Sequence, residues 1–384
     1  MSVIAIVRRL LVDVQSHRAR LAVVAAGVVA LLVSRRASSA AMGRSLVWGT
    51  APKHAIKRFD RLIGNERLVE ELPRYYAAIA NLVVRDAAPV VLIDWTHLHG
   101  RAHALVAALA VEGRSVLLLA HVCDVNSLGN TSVQLRFLEQ LCAVLPARCR
   151  PIVVTDAGFH GDFFRAILRL GWHFVGRIRG TAQLQHGGSM LQKAALYERA
   201  TARARDFPDA KLYAHRSISC RLVLVRRPHS KRRSKPTSNK ELLEYRKSAR
   251  DPWLLATSCT DCSAEAVVRH YARRMQIEES FRDAKSARFG LAFSFGRSRS
   301  LNRLAVQLLL VALALAAALI LGRQAEQQRA HLAFQANSTK DRRVLSVTRL
   351  GLELIHAAVA ELSSLAGEVR ELFRCRRGPV CGDP

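Results

Sequence analysis

The sequence predicts an α/β protein whose N- and C-terminal regions are helical and whose middle is built on short buried strands. Three observations predict it. Between residues 88 and 180, apolar runs rich in β-branched residues alternate with segments of helical spacing. The first 85 residues, and residues 347–373, carry helical periodicity. Half of the 384 residues are apolar, enough to bury a large core and too many for a disordered basic tail.

Taken in order, residues 53–68 (KHAIKRFDRLIGNERL) read as one helix. Ile56, Phe59 and Ile63 form a narrow apolar stripe, with Lys53, Lys57, Arg58 and Arg61 mostly around the other faces. That pattern suits a DNA-gripping helix or an ordinary solvated one. APVVLIDWTHL (88–98) reads as a strand whose apolar run ends at Asp94, followed by HALVAALAV and RSVLLLAHV across an EGR turn. QLRFLEQLCAV (134–144) has helical spacing, RPIVVTDAGF (150–159) is a strand ending at Asp156, and a helix, a Gly171 stop and another strand follow. The expected order is three strands, helix, strand, helix, strand. Residues 181–257 alternate strand-like and polar pieces, including the basic stretch HSKRRSKPTSNK (229–240). WLLATS (253–258) is a strand, and residues 263–286 read as one long helix capped by Ser263.

Charge narrows the function. With 59 Lys+Arg against 30 Asp+Glu, the formal charge is +29, far beyond what solubility requires. A polyanionic partner is expected, nucleic acid first and anionic membrane second. Eight sparse cysteines, with Cys259 and Cys262 as the one close pair, suggest reduced thiols rather than a zinc or redox centre. Residues 21–33 (LAVVAAGVVALLV) are too short to span a bilayer. Residues 304–321 (LAVQLLLVALALAAALIL) are long enough, so hydropathy leaves two readings, a membrane span or a helix buried between other layers. Burial is the expectation, because the preceding 120 residues look like a soluble catalytic unit.

The chemistry concentrates in residues 271–285, YARRMQIEESFRDAK. On a continuous helix Tyr271, Arg274, Glu278 and Lys285 fall within a stripe about 60° wide, while Glu279 points elsewhere. One carboxylate is thereby flanked by two cations and a phenol. Asp94 and Asp156 each follow an apolar run, where a buried strand would otherwise continue with Val or Ile. Three carboxylates from two strands and a helix can hold two Mg²⁺ ions for in-line phosphoryl displacement. Taken singly, either aspartate reads as well as a turn or cap residue. His160, near Asp156, reads as an ordinary surface residue rather than a metal-proximal donor.

The spacing Y-x2-R-x3-E-x6-K resembles the signature of DDE insertion-sequence transposases of the insertion-sequence-four group. IDWTH around Asp94, VVTDAGF around Asp156, RIRG (177–180), WLLATS and the basic HAIKRFDR segment are similar to that family too, so the resemblance covers about residues 50–325. Residues 1–45 match nothing in it.

The resemblance implies an RNase H-like catalytic core interrupted by a β-rich insertion. The expected divisions are 1–86, a helical DNA-binding region; 87–180, the first part of the core; 181–257, the insertion; 258–325, the second part with the Glu-bearing helix; and 326–384, a helical region suited to dimerisation. It implies that Asp94, Asp156 and Glu278 hold two Mg²⁺ ions, with Mn²⁺ able to substitute. Tyr271, Arg274 and Lys285 would contact phosphates near the cleaved end, and Trp253 would either stack on a flipped base or serve as a core aromatic. The partners would be double-stranded DNA, as terminal inverted repeats and target, and a second subunit in a synaptic dimer, in the cytoplasm and with no membrane. The expected activity is cleavage at mobile-element ends and strand transfer into target DNA. The competing readings are an RNase H-like nuclease that never joins strands, a membrane-anchored DNA-binding protein without catalysis, and an inactive relic of a transposase.

Overall fold

The structure, a computed structural model, describes residues 3–45, 49–180, 182–227 and 251–359. The basic stretch 229–240, and residues 360–373 of the C-terminal helical segment, lie outside the described residues.

Five helices open the chain: α1 (Val3–Leu11), α2 (Arg18–Ser34), α3 (Ser39–Arg44), α4 (Pro52–Ile63) and α5 (Glu66–Val83). The single helix expected over 53–68 is two. Gly64 closes α4, and the Asn65 side chain accepts the Leu68 N–H to start α5, so local capping chemistry overrides the running periodicity. Phe59 and Ile63 are buried and Ile56 is half-buried, as an apolar stripe requires.

The middle of the chain forms β1 (Val90–His99), β2 (Ala102–Ala110), β3 (Ser115–Asp124), α6 (Thr131–Val144), β4 (Ile152–Thr155), α7 (Gly161–Arg169) and β5 (His173–Arg177). This is the order read from the sequence. Next come β6 (Leu184–His186), β7 (Ser189–Leu191), α8 (Lys193–Glu198), β8 (Arg205–Leu212), β9 (Ile218–Val225) and β10 (Trp253–Thr257). All ten strands join one mixed sheet in the order β3-β2-β1-β4-β5-β10-β9-β8-β6-β7. Neighbours β1, β4 and β5 run parallel, and the remaining pairs are antiparallel. The strands of residues 181–257 thus extend the sheet of the first five, because β10 pairs directly with β5.

Helices cover both faces of this sheet. At Gly176 on β5, a Cβ would lie 2.5 Å from the Phe164 ring of α7, whereas the next residue, Arg177, reaches Tyr271 on the other side. Adjacent strand residues point to opposite faces, so α7 and the Tyr271 helix sandwich the sheet.

After β10 come α9 (Ala264–Ala272) and α10 (Met275–Lys285), then α11 (Leu301–Gln327) and α12 (Val347–Val359). The long helix expected over 263–286 is broken at Arg273 and Arg274. There the backbone tightens into three-residue hydrogen bonds: Arg274 N–H to Tyr271 at 3.0 Å, Gln276 to Arg273 at 2.9 Å and Ile277 to Arg274 at 3.2 Å. Tyr271 and Glu278 therefore belong to different helices, and their shared stripe is not a property of one cylinder.

By length and composition α11 could cross a membrane, yet 72% of its apolar window is buried against the rest of the protein. It packs on α1, α2, α4, α5, α12 and β3. Its crossing with α12 depends on two glycines. A Cβ at Gly351 would stand 1.9 Å from the Ala318 carbonyl oxygen, and one at Gly322 would stand 2.0 Å from that of Val347. Replacing Gly351 by Ala forces the two backbones apart, and overpacking of this kind costs about 1–3 kcal/mol. We expect Gly351→Ala to lower the melting temperature by about 1–4 °C in calorimetry. An unchanged transition would mean that the crossing is looser than described.

Candidate active site

Strand register brings the first two carboxylates together. Ile93 on β1 is paired with Thr155 on β4, the last pair of their parallel ladder. The following residues, Asp94 and Asp156, therefore stand level on neighbouring strands. Asp94 does not end its strand, as the apolar run suggested. β1 continues to His99 because β2 keeps pairing with it after β4 has stopped. Asp156 does follow the end of β4, where its Oδ1 accepts the Gly158 N–H at 2.8 Å.

The third carboxylate arrives on α10. That helix is pinned to the start of β3: Ser280 Oγ accepts the Ser115 N–H at 2.8 Å, and Arg114 Nε donates to Asp283 Oδ2 at 2.6 Å. Asp283 is only 5% exposed, so this charged pair is sealed from water, and breaking it would strand a buried charge. The clamp fixes the rotation of α10 about its axis and turns Glu278 toward the sheet. Nothing in the local sequence marks Arg114 or Ser115 for this task, because their partners lie more than 160 residues away.

Arg274 links the carboxylates. Its Nη1 donates to Asp94 Oδ2 at 3.2 Å and its Nη2 to Glu278 Oε1 at 2.5 Å. Burial opposes its charge, but Tyr271, Glu278, Asp94 and Asp156 together outweigh that and hold Arg274 firmly protonated. Lys285, three turns further on, donates from Nζ to Thr96 Oγ1 at 2.6 Å. Thr96 was not singled out from the sequence, although its place two residues after Asp94 puts it on the same strand face. Burial pushes the Lys285 ammonium down to about 8, with Asp94 pulling the other way.

Tyr271 is 4% exposed, and its hydroxyl is hydrogen-bonded with Arg177. Trp253 is half-buried and meets the Tyr271 ring edge-on at 4.8 Å, with the Arg227 guanidinium 5.5 Å from the indole. His160 is exposed at the start of α7. The six described cysteines, Cys259 and Cys262 among them, are free.

Electrostatics define the cluster. Burial above all pushes Asp94 up to about 7, against the pull of Arg274, and the negative charges of Asp156 and Glu278 push the same way. Oxygen-only donors crowded at partial burial are the chemistry of a site for a hard divalent cation, which would relieve that repulsion. Arg274 now supplies positive charge between Asp94 and Glu278. Among the described residues, no three His, Cys, Asp or Glu side chains converge closely enough to ligate one ion around it. Donor chemistry and charge fit a divalent cation.

A carboxyl whose pKa is higher in the folded chain than in the unfolded one favours folding while protonated and loses that contribution as pH rises through the folded value. In chelator, the contribution of Asp94 to wild-type stability should therefore decline between about pH 4 and pH 7. Asp94→Asn should flatten that decline in melting curves, and parallel curves for the two proteins would show that Asp94 is not perturbed in the native state.

The family model described as Transposase DDE domain matches residues 85–317, a span that holds all three carboxylates, Arg274 and Lys285. No curated protein matches the chain. Since the match covers more than half of the chain, the protein belongs to the DDE transposases: it is a transposase, a metal-dependent polynucleotidyl transferase and endonuclease that acts on DNA.

Proposed function

We propose that this transposase belongs to the insertion-sequence-four group, cuts at the ends of its own mobile element and joins the freed 3′-hydroxyls to target DNA. The observation that carries the reading is that Arg274 bonds both Asp94 on β1 and Glu278 on α10, while strand register sets Asp156 after β4 level with Asp94. The Y-x2-R-x3-E-x6-K spacing supports the group, and the parallel trio β1, β4 and β5 beside the antiparallel β2 and β3 supports an RNase H-like core. In this reading residues 1–86 bind DNA, 87–180 and 258–325 make up the core, 181–257 are its insertion and 326–384 serve pairing of subunits.

Asp94, Asp156 and Glu278 would hold two Mg²⁺ ions, or Mn²⁺ in their place. The bound ions would activate the attacking oxygen and stabilise the leaving one. The chain's own residues do the rest. Arg274 and Lys285 would hold the phosphate whose charge grows during displacement, Arg274 by exchanging a carboxylate for a phosphate oxygen. Trp253 would line the approach of the DNA end, and Tyr271, buried against it and bonded to Arg177, would hold the indole in place. In the first step a water oxygen bonds to phosphorus as the bond to the 3′-oxygen breaks, leaving a 3′-hydroxyl and a 5′-phosphate. In the second, that hydroxyl attacks a target phosphodiester, so one P–O bond replaces another. Two ends must move together, which favours a synaptic homodimer. The charge of +29 favours a nucleoid-associated protein in the cytoplasm.

The test uses purified protein, Mg²⁺ and a DNA fragment carrying the flanks of its own coding sequence. Wild type should cleave at a defined end and join strands. Glu278→Ala should lose both reactions by a factor on the order of 10²–10³ or more while binding DNA as before. Cleavage without joining would sink the transfer step and leave a nuclease. Activity in Glu278→Ala equal to wild type would remove Glu278 from the catalytic set. Lys285→Ala should weaken DNA binding and reduce the steepness with which binding falls as salt rises. An unaltered salt response would take Lys285 off the phosphate.

A further inference from the structure

The segment joining α10 to α11, residues 286–300 (SARFGLAFSFGRSRS), holds three phenylalanines and three arginines and no acidic residue. It is firmly seated. The Leu291 N–H donates to the Asp283 carbonyl at 3.0 Å, and the Leu291 carbonyl accepts the Ala37 N–H at 2.9 Å. Gly290 passes so close to α10 that a Cβ there would lie 1.6 Å from the Asp283 oxygen. Leu291 and Phe293 are buried as anchors. A 3-10 turn, Phe293–Gly296, packs against β1, α10 and α11, and it is flanked by Ala292 and Arg297 at φ 47° and 48°, left-handed backbone that side-chain-bearing residues rarely adopt.

What this anchored segment displays is unusual. Phe289 and Phe295 are 48% and 49% exposed, although buried sites are close at hand for Leu291 and Phe293. Both rings carry guanidinium groups: Arg288 lies 5.0 Å and Arg349 5.8 Å from Phe289, and Arg36 lies 5.6 Å from Phe295. Arg288, Arg297 and Arg299 are exposed and form no ion pair among the described residues. Half-exposed aromatic rings interleaved with unpaired cations match the demands of a single strand, whose bases offer π-faces and whose backbone offers phosphates. A stacked duplex hides its base faces, and the centre of a protein interface is depleted of charge. The segment also begins one residue after Lys285, which is bonded two residues from Asp94 on β1.

We propose that residues 286–300 form a platform for unpaired nucleotides beside the carboxylate cluster. Phe289 and Phe295 stack on bases of single-stranded DNA, and Arg288, Arg297 and Arg299 take its phosphates. The proposal rests on the transposase reading above, in which DNA strands are opened and exchanged at that cluster.

The experiment uses the full chain in chelator, so that nothing is cut, with two probes: a blunt duplex, and the same duplex bearing a short single-stranded 3′ extension that contains 2-aminopurine. Wild type should bind the extended probe more tightly and quench its fluorescence. The double variant Phe289→Ala, Phe295→Ala should lose the quench and about tenfold of the preference, with blunt-duplex binding unchanged. Phe289→Tyr with Phe295→Tyr should restore both, which separates stacking from a folding defect. The proposal is overturned if wild type shows no preference for the extension, if the alanine variant keeps it, or if blunt and extended probes weaken equally. It is also overturned if the variant changes only the oligomeric mass in light scattering, since the two rings would then serve contact between copies of the chain. Failure of the platform leaves Glu278-dependent cleavage intact, whereas failure of the transposase reading appears as cleavage indifferent to Glu278→Ala.

Discussion

A helix that is apolar on all sides must be covered on all sides, and α11 imposes that requirement on the whole chain. It has no polar face to turn toward water, and Gln307, near the start of its apolar stretch, is itself buried with its amide donating to the Ala37 carbonyl at 3.3 Å. The N-terminal helices answer the requirement. α2 is equally apolar around its middle, with Val24 through Leu32 buried, and it packs along α11. One continuous core consequently runs from Ile4 to Ile355. The N-terminal helices share that core with the sheet, so their basic outer faces, such as Lys57 and Arg61 of α4, are held rigidly relative to the carboxylate cluster.

The same core anchors the active-site elements. β1 and β4 are buried strands, and their parallel register alone sets Asp94 beside Asp156. α10 is fixed to β3 through Ser280 and Asp283, which sets the position of Glu278. Carboxylates held this way cannot relax apart, and burial above all, with the charges of Asp156 and Glu278 adding to it, raises the pKa of Asp94. A site that stores mutual repulsion needs positive charge. Arg274 provides it in the structure, and the incoming metal and DNA phosphates of a transposase would redistribute it. The helix break at Arg273 and Arg274 belongs to this balance, since it lets Arg274 face both Asp94 and Glu278 while Tyr271 turns inward to Arg177.

Position along the strand governs which cation each β1 side chain meets as well. Residues two apart on β1 share a face, so Asp94 meets Arg274 and Thr96 meets Lys285 on the same side of the sheet. The two cations of the Y-x2-R-x3-E-x6-K pattern are thereby spread along the strand rather than clustered at one carboxylate. A DNA backbone lying along that line would meet one cation after another.

The sequence by itself determined the parts whose cause is local. Hydrophobic runs and their turn residues located β1 through β5 with α6 and α7, and the fixed spacing from Tyr271 to Lys285, with Asp94 and Asp156 after their apolar runs, marked the candidate site. Capping at Gly64 and Asn65 was legible in principle, since Gly-Asn is a helix stop followed by a start, but periodicity across it suggested a single helix. Tertiary structure alone decided the rest. That β1 runs past Asp94 depends on β2 outlasting β4, and that β6 through β9 extend the same sheet depends on β10 finding β5. Thr96, Arg114, Ser115 and Arg177 gained their roles from partners far away in the chain. Residues 304–321 are of the same kind: composition says only that a helix avoids water, and it is the packing of α1, α2, α4, α5, α12 and β3 that buries 72% of the apolar window.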